Sequence, residues 1–264
     1  MLYFVATPIG NLGDITYRAV EVLNQVDIIA CEDTRHSLTL LARYGIKKPL
    51  ISYHKFNEKE SGEKIIALLK EGKSVAIISD AGMPVISDPG NLLTPRLIAE
   101  NLEYTVVPGA SAGLTALVLS GLSASKFAFL GFLPEKKKDR QELLEKYKNS
   151  DLTLLFYCAP HDVKKDVQSL YEGLGDRNAV AVREITKLHE SVEKFSLKDG
   201  YPLEPKGEYV LVVQGADPTQ EYVDLTEEEH INKYLSQGMD KKEALKRVAK
   251  ERGVSKSSLY KYTL

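Results

Sequence analysis

The chain has 264 residues, 43% of them hydrophobic and 27% charged, with a formal net charge of −2. That length suits one large domain or two of ordinary size, and the near-neutral balance means that any nucleic-acid contact must come from local charge. Two separated cysteines, Cys31 and Cys158, and five scattered histidines give no metal-ligand spacing, and no apolar run reaches the ~20 residues of a membrane span, so a reducing, cytoplasmic setting without a metal site is expected.

The amino-terminal run Leu2-Tyr3-Phe4-Val5-Ala6 lacks a basic lead-in and is interrupted at Pro8. It reads as a buried strand rather than a signal peptide. Further strands are expected at residues 27–31, 50–53, 75–79 and 104–107, alternating with helical patterns at 16–25, 37–44, 60–71 and 92–101. Such βα alternation implies a mostly parallel sheet covered by helices. The apolar run Val75–Ile78 stops abruptly at Asp80-Ala81-Gly82. The loop that follows is stiff, because Pro84 and Pro89 fix their own φ and restrict Met83 and Asp88. Ligands of open α/β sheets bind at the carboxyl ends of strands. A rigid loop with carboxylates at that place suggests a small-molecule site.

A small-residue segment, residues 108–113, leads into a buried helix at 114–122. Its free backbone N–H groups could face a ligand. A second unit begins near Ser123, with strands expected at 127–132, 153–157, 179–183, 192–196 and 209–213. Helical patterns lie only at 137–148 and 162–172, so its sheet should be mixed or antiparallel. The expected domains are residues 1–122 and 123–225. A third segment, residues 226–264, opens as a capped helix at Thr226-Glu227-Glu228-Glu229 and ends basic. There Lys241, Lys242, Lys246, Arg247, Lys250, Arg252, Lys256 and Lys261 outnumber Asp240, Glu243 and Glu251. Two short helices joined at Gly253, the second capped by Ser255, resemble a helix-turn-helix unit.

The motifs Ala6-Thr7-Pro8-Ile9-Gly10-Asn11-Leu12-Gly13-Asp14, Cys31-Glu32-Asp33-Thr34-Arg35, residues 80–90 and residues 108–112 recur in that order in a known family. So do Gly131-Phe132-Leu133-Pro134, Arg183-Glu184-Ile185-Thr186-Lys187 and Gly207-Glu208-Tyr209. With these the chain resembles the tetrapyrrole (corrin/porphyrin) methylase superfamily, and within it the branch that acts on small-subunit ribosomal RNA. Members acting on tetrapyrroles usually carry a Gly-Asp-Pro-type loop where this chain has Asp80-Ala81-Gly82-Met83-Pro84. The resemblance implies two α/β domains, S-adenosylmethionine held in the cleft between them, and a homodimer. It also implies 2′-O-methylation of a cytidine in the decoding region of 16S ribosomal RNA.

For the cofactor, the strand-end loop offers Asp80, Ala81, Gly82, Met83, Pro84 and Val85. The resemblance adds Pro8 and Ile9, Ser111 and Ala112, and Phe156 and Tyr157. Asp80 reads alternatively as a turn-forming aspartate, and the two aromatics as core. A ribose hydroxyl needs a base or a cation to stabilise its developing charge, and Asp33, Arg35, Glu184 and Lys187 are the candidates as a group. The cluster His54, Asn57 and Glu58 is another. Each could equally be a structural salt bridge or a solvated face. RNA contact is expected from Lys136, Lys137, Lys138 and Arg140, and from Lys241, Lys242, Lys246, Arg247, Lys250 and Lys256.

Three other readings compete. A dinucleotide enzyme would use Gly10-Asn11-Leu12-Gly13 and Glu32, but Pro8 stands where G-x-G-x-x-G needs its first glycine. An RNA-binding module would tolerate free change of residues 80–90. A tetrapyrrole methylase would not need the basic tail.

Overall fold

A computed structural model describes residues 1–217 and 225–262. The end of the second expected domain, residues 218–224, and the last two residues of the expected tail lie outside them. Strands β1 (Leu2–Val5), β2 (Ile28–Cys31), β3 (Leu50–Ser52), β4 (Val75–Ile78) and β5 (Tyr104–Val107) form one sheet in the order β3-β2-β4-β1-β5. All its pairings are parallel. Helices α1 (Tyr17–Gln25), α2 (Thr34–Arg43), α3 (Glu58–Lys70) and α4 (Leu93–Ala99) connect them. Thr16 caps α1 by accepting the Ala19 N–H, and Asp33 caps α2 by accepting the Arg35 N–H. These caps explain why both helices begin where they do.

A parallel sheet covered on both faces needs apolar side chains on both sides of each strand. Leu2, Phe4, Ala30 and Ile77 meet Ile65, Leu69, Leu93 and Leu97 of α3 and α4. Val5, Ile29, Cys31 and Ile78 meet Leu23 and Leu41 of α1 and α2.

The second sheet holds β6 (Phe127–Phe132), β7 (Thr153–Cys158), β8 (Asn178–Arg183), β9 (Ser191–Ser196) and β10 (Tyr209–Val213), in the order β6-β7-β10-β8-β9. Only β6–β7 is parallel; the other three pairings are antiparallel. Helices α6 (Lys137–Tyr147) and α7 (Val163–Leu174) cover one face through Leu144, Val163, Val167 and Leu170. The other face is covered from the amino-terminal side of the chain. Helix α5 (Ala112–Ser120) lays Ala116 and Leu117 on Leu155, Val180, Val182, Val210 and Val212, together with Ile9. Although α5 precedes the expected boundary at residue 122, it packs on the second sheet.

Beyond these lie α8 (Glu227–Ser236), α9 (Lys241–Arg252) and α10 (Lys256–Leu259). Thr226 and Glu229 form a reciprocal capping box at the start of α8. Gly253, at φ +64°, ends α9, and Ser255 caps α10 by accepting the Ser258 N–H. Ile231, Tyr234, Ala244, Leu245, Val248 and Leu259 form a core of their own. Among the described residues no helix is long and apolar enough to cross a membrane.

Candidate functional site

The carboxyl ends of β2, β4 and β1 lie side by side in the first sheet. The loop after β4 is pinned there at both ends. Thr7 and Gly82 exchange backbone hydrogen bonds of 2.9 and 3.2 Å, and Thr7 Oγ1 donates to Ser79 O at 3.1 Å. At the far end Glu58 Oε1 accepts the Gly90 N–H at 2.8 Å and the Leu92 N–H at 3.0 Å. Between the pins the chain is strained: Val85 has φ +77° and Ser87 φ +65°. A left-handed β-branched residue is an outlier that costs about 1–3 kcal/mol and persists only where its surroundings enforce it. Gly90, at φ +135°, has no room for a side chain, since a Cβ would come within 2.5 Å of Val85 Cγ2.

Three carboxylates gather at this place. Burial, then the charge of Asp80, raises the Glu32 carboxyl above its ordinary range. Burial, then Glu32, with Asp80 adding to it, pushes Asp88 up to about 6 against the partial offset of the Ser79 hydroxyl. Asp80 Oδ1 accepts the Asp33 N–H at 3.2 Å. None of the three has an ion-pair partner among the described residues, and no group of His, Cys, Asp and Glu is placed there to hold a metal ion. Concentrated, unneutralised negative charge suits a cationic ligand. S-adenosylmethionine, with its sulfonium and ammonium, fits that requirement.

The second sheet reaches the same place through Tyr157, whose hydroxyl is raised by burial and by the charge of Asp88. Its ring meets Phe129 and Phe132 edge-on, at 4.9 and 5.6 Å between centroids. Phe156 does not join it. Successive strand residues point to opposite faces, and Phe156, 1% exposed, lies in the core under α6 and α7. Pro8, Ile9, Gly82 and Pro84 are buried, Met83, Val85, Ser111 and Ala112 half-buried, and Ala81 exposed. Gly109 keeps the loop after β5 close to the first loop, since a Cβ would lie 2.9 Å from Ala6 Cβ.

The turn after β8 presses on the first loop. A Cβ on Gly10 would stand 2.7 Å from Thr186 Oγ1 and 2.9 Å from Ile185 O. Glu184 and Thr186 both have positive φ, +49° and +66°. Glu184 Oε1 accepts from Lys187 Nζ at 3.0 Å and from the Glu208 N–H at 2.9 Å, and Lys187 Nζ also reaches Glu208 Oε2 at 2.7 Å. Burial alone would raise Glu184; Lys187 and the Glu208 amide outweigh it and hold the carboxyl below its ordinary range. Nearby, Arg183 Nε, Thr186 Oγ1 and Ser191 Oγ are buried without a hydrogen-bond partner among the described residues.

Of the other sequence candidates, Asp33 touches these groups through its backbone, donating its N–H to Asp80 Oδ1. Asp33 and Arg35 pair at 3.3 Å with Arg35 90% exposed. Asn57 shapes a turn, accepting the His54 N–H at 2.8 Å and donating to Ser52 O at 3.2 Å. Lys136, Lys137 and Lys138 are exposed at the start of α6, while Arg140 folds back on Pro134 O and Glu135 O. On α9, Lys241, Lys242, Lys246, Arg247 and Lys250 are exposed. Arg247 is bound to Glu251 and lies over the Tyr234 ring, and Lys256 lies over that of Tyr260. For two site residues the structure assigns a place that the sequence does not give. Glu58, grouped in sequence with His54 and Asn57 as a candidate catalytic cluster, is instead the pin of the loop; Asp88 counts there only as one of the loop's carboxylates, without a role of its own.

Comparison with known proteins agrees with this geometry. Residues 1–199 match the family model for Tetrapyrrole (Corrin/Porphyrin) Methylases. The ribosomal RNA small subunit methyltransferase I of Bacillus subtilis (strain 168) is 42% identical over 98% of this chain and 92% of its own length. The protein of the same name from Thermotoga maritima is 44% identical over 82% of this chain and 99% of its own length. In structure, the methyltransferase CobJ superposes with a TM-score of 0.64 at 18% identity, covering 82% of this chain and 94% of that one. Diphthine synthase gives a TM-score of 0.64, also at 18%, over 81% and 89%. The fold, the acidic strand-end site and these matches together place the chain in the tetrapyrrole methylase family of S-adenosylmethionine-dependent methyltransferases.

Proposed function

We propose that the protein methylates the ribose 2′-hydroxyl of a cytidine in the decoding region of 16S ribosomal RNA. The observation that carries this reading is the roughly 40% identity, over nearly the full length, to relatives named ribosomal RNA small subunit methyltransferase I. The bound cofactor supplies an electrophilic methyl group on a cationic sulfur.

The chain's own residues bind and orient. Asp80, fixed by the Asp33 N–H, accepts from the cofactor's ammonium or ribose. Pro8, Ile9, residues 81–85, Ser111, Ala112 and Tyr157 form the walls, and Phe156 contributes backbone only. Most of the rate gain in an in-line displacement comes from alignment in a site closed to water, which a loop pinned at both ends provides. Lys187 has two of its three N–H donors engaged; the third is available to a developing oxyanion. The exposed lysines of α6 and α9 track phosphates without reading bases.

We read the protein as a cytoplasmic homodimer. Helix α5 is apolar on all sides, and Leu114 and Val118, 52% and 77% exposed, sit on the face turned away from the second sheet. A helix apolar all round is ordinarily covered on both sides, and a second copy would cover this one.

The test is methyl transfer from labelled S-adenosylmethionine to small ribosomal subunits lacking the modification, followed by nuclease digestion and mass mapping. Label on the ribose of a decoding-region cytidine is expected. Cofactor binding with no label on RNA would move the acceptor to a tetrapyrrole or another small molecule.

A further inference from the structure

We propose that Phe132 is the platform on which the base of the methylated nucleotide stacks, an assignment that deepens the ribose-methylation reading above and rests on it. To bring a ribose hydroxyl in line with the donor methyl, the target nucleotide must leave its neighbours and be held in place. Unstacked bases are held by aromatic side chains.

Strand β6 turns one such ring toward the cleft. Phe129 pairs with Leu155 of β7, but Gly131 pairs with Phe156, so two steps of β6 stand against one of β7. This is a β-bulge, with Gly131 at φ +66°. In a regular strand Phe132, three residues after Phe129, would point to the opposite face. There it would join the core in which Leu130 and Leu133 pack under α6 and α7. The bulge resets the alternation. Phe132 pairs with Tyr157, and the rings of Phe129 and Phe132 both meet that of Tyr157 edge-on. Phe132 is still 57% exposed. A lone exposed aromatic is ordinary; one that a bulge turns away from an available core is not.

The surroundings of the ring identify its occupant. One residue earlier, a Cβ on Gly131 would stand 3.3 Å from Ser87 Oγ, on the strained arch of the acidic loop. Tyr157, beside Phe132, feels the charge of Asp88. Carboxylates this close repel phosphate and leave the neutral, planar part of a nucleotide to fit there. Four residues further on begin the exposed Lys136, Lys137 and Lys138. The chain places Lys136 at most about 14 Å from Phe132, where a flanking phosphate would lie. An aromatic platform beside a basic rim is how single-stranded nucleic acid is gripped.

The test is single-turnover methylation of unmodified small subunits by the full chain, with S-adenosylhomocysteine affinity measured by calorimetry. Phe132→Ala should lower the second-order rate about 5- to 150-fold, the range one base–aromatic stack supplies, with S-adenosylhomocysteine affinity within about threefold. Stacking releases no counterions, so the salt slope of subunit binding should match wild type. Phe132→Trp should keep most of the rate. Phe132→Leu, apolar but without a π face, should stay as slow as the alanine variant. A Phe132→Ala protein at wild-type rate overturns the assignment, and so does a leucine variant as fast as the tryptophan one. An equal loss of S-adenosylhomocysteine affinity would make the ring part of the cofactor wall, and a fall in mass by light scattering would make it a contact between copies; either overturns it too. A wild-type protein that binds the cofactor and leaves RNA unlabelled overturns the ribose reading itself, and the platform with it.

Discussion

Asp88 stores free energy that the folded protein would release if the charge were removed. Its carboxyl titrates near 6 in the folded chain and at the ordinary 3.8 when unfolded. Between those values the folded form binds more protons, so stability falls as pH rises through the window and stays lowered above it. Asp88→Asn carries no such charge. It should raise the melting temperature at pH 7–8 by a few degrees, corresponding to ~1–2 kcal/mol once screening of a half-buried group is allowed for. The gain should vanish below about pH 4. A calorimetric melt at both pH values checks it; an equal or lower melting temperature at pH 8 would mean that the carboxylate has a stabilising partner. Lys187 presents the opposite case. It joins Glu184 to Glu208, and Lys187→Ala leaves those two carboxylates facing each other. Methylation should slow at least tenfold while S-adenosylhomocysteine affinity is nearly kept. A full-rate variant would remove Lys187 from the reaction.

The loop after β4 behaves as one element because both ends are tied and its middle is strained. Glu58 is the tie whose loss can be read most cleanly. Glu58→Ala frees the Gly90 and Leu92 N–H groups and removes the partner of the Tyr53 hydroxyl. An unmet buried donor costs about 1–3 kcal/mol, and the loop would relax toward unstrained φ values. S-adenosylhomocysteine affinity is expected to fall about five- to fiftyfold with the helical and sheet content by circular dichroism unchanged; unaltered affinity would show that the arch holds its shape without this tie. The stiffness of this loop was legible in Pro84 and Pro89, because proline acts on its own φ and its neighbour's. The strands and helices were legible for a similar reason, since apolar runs and caps such as Thr16 and Thr226 are local signals. Glu58 was not, because its partners lie 32 and 34 residues away. Nor was the environment of Asp88, which burial and the distant Glu32 create. The pair Phe156-Tyr157 shows the limit well. Alternation along a strand means that only one of the two can face the cleft. Which one depends on α5 and Ile9 covering that side of the second sheet, and no local pattern records that.

Across the whole molecule, net charge is −2, so RNA must be drawn by an uneven distribution of charge. The three terminal helices supply one. On α9, Ala244, Leu245, Val248 and Ala249 turn inward to the tail's own core, which leaves Lys242, Lys246 and Lys250 exposed. Among the described residues that core is built from the tail alone, so both sheets are expected to keep their fold when the tail is removed. Deleting residues 226–264 should therefore leave S-adenosylhomocysteine affinity unchanged and weaken binding to small subunits. Each lysine that neutralises a phosphate contributes about 0.7–0.9 to the slope of log affinity against log salt. Replacing Lys242, Lys246 and Lys250 with glutamine in the full chain should flatten that slope by roughly 2 and weaken binding most at low salt. Filter binding between 50 and 300 mM salt, on the order of the range where such effects are read, compares both variants with wild type. If the slope is unchanged in both, the phosphate contacts lie elsewhere, with the lysines at the start of α6 the next group to neutralise. If the deletion weakens binding but the triple replacement does not, the tail acts through shape or a protein contact, and its charge is incidental.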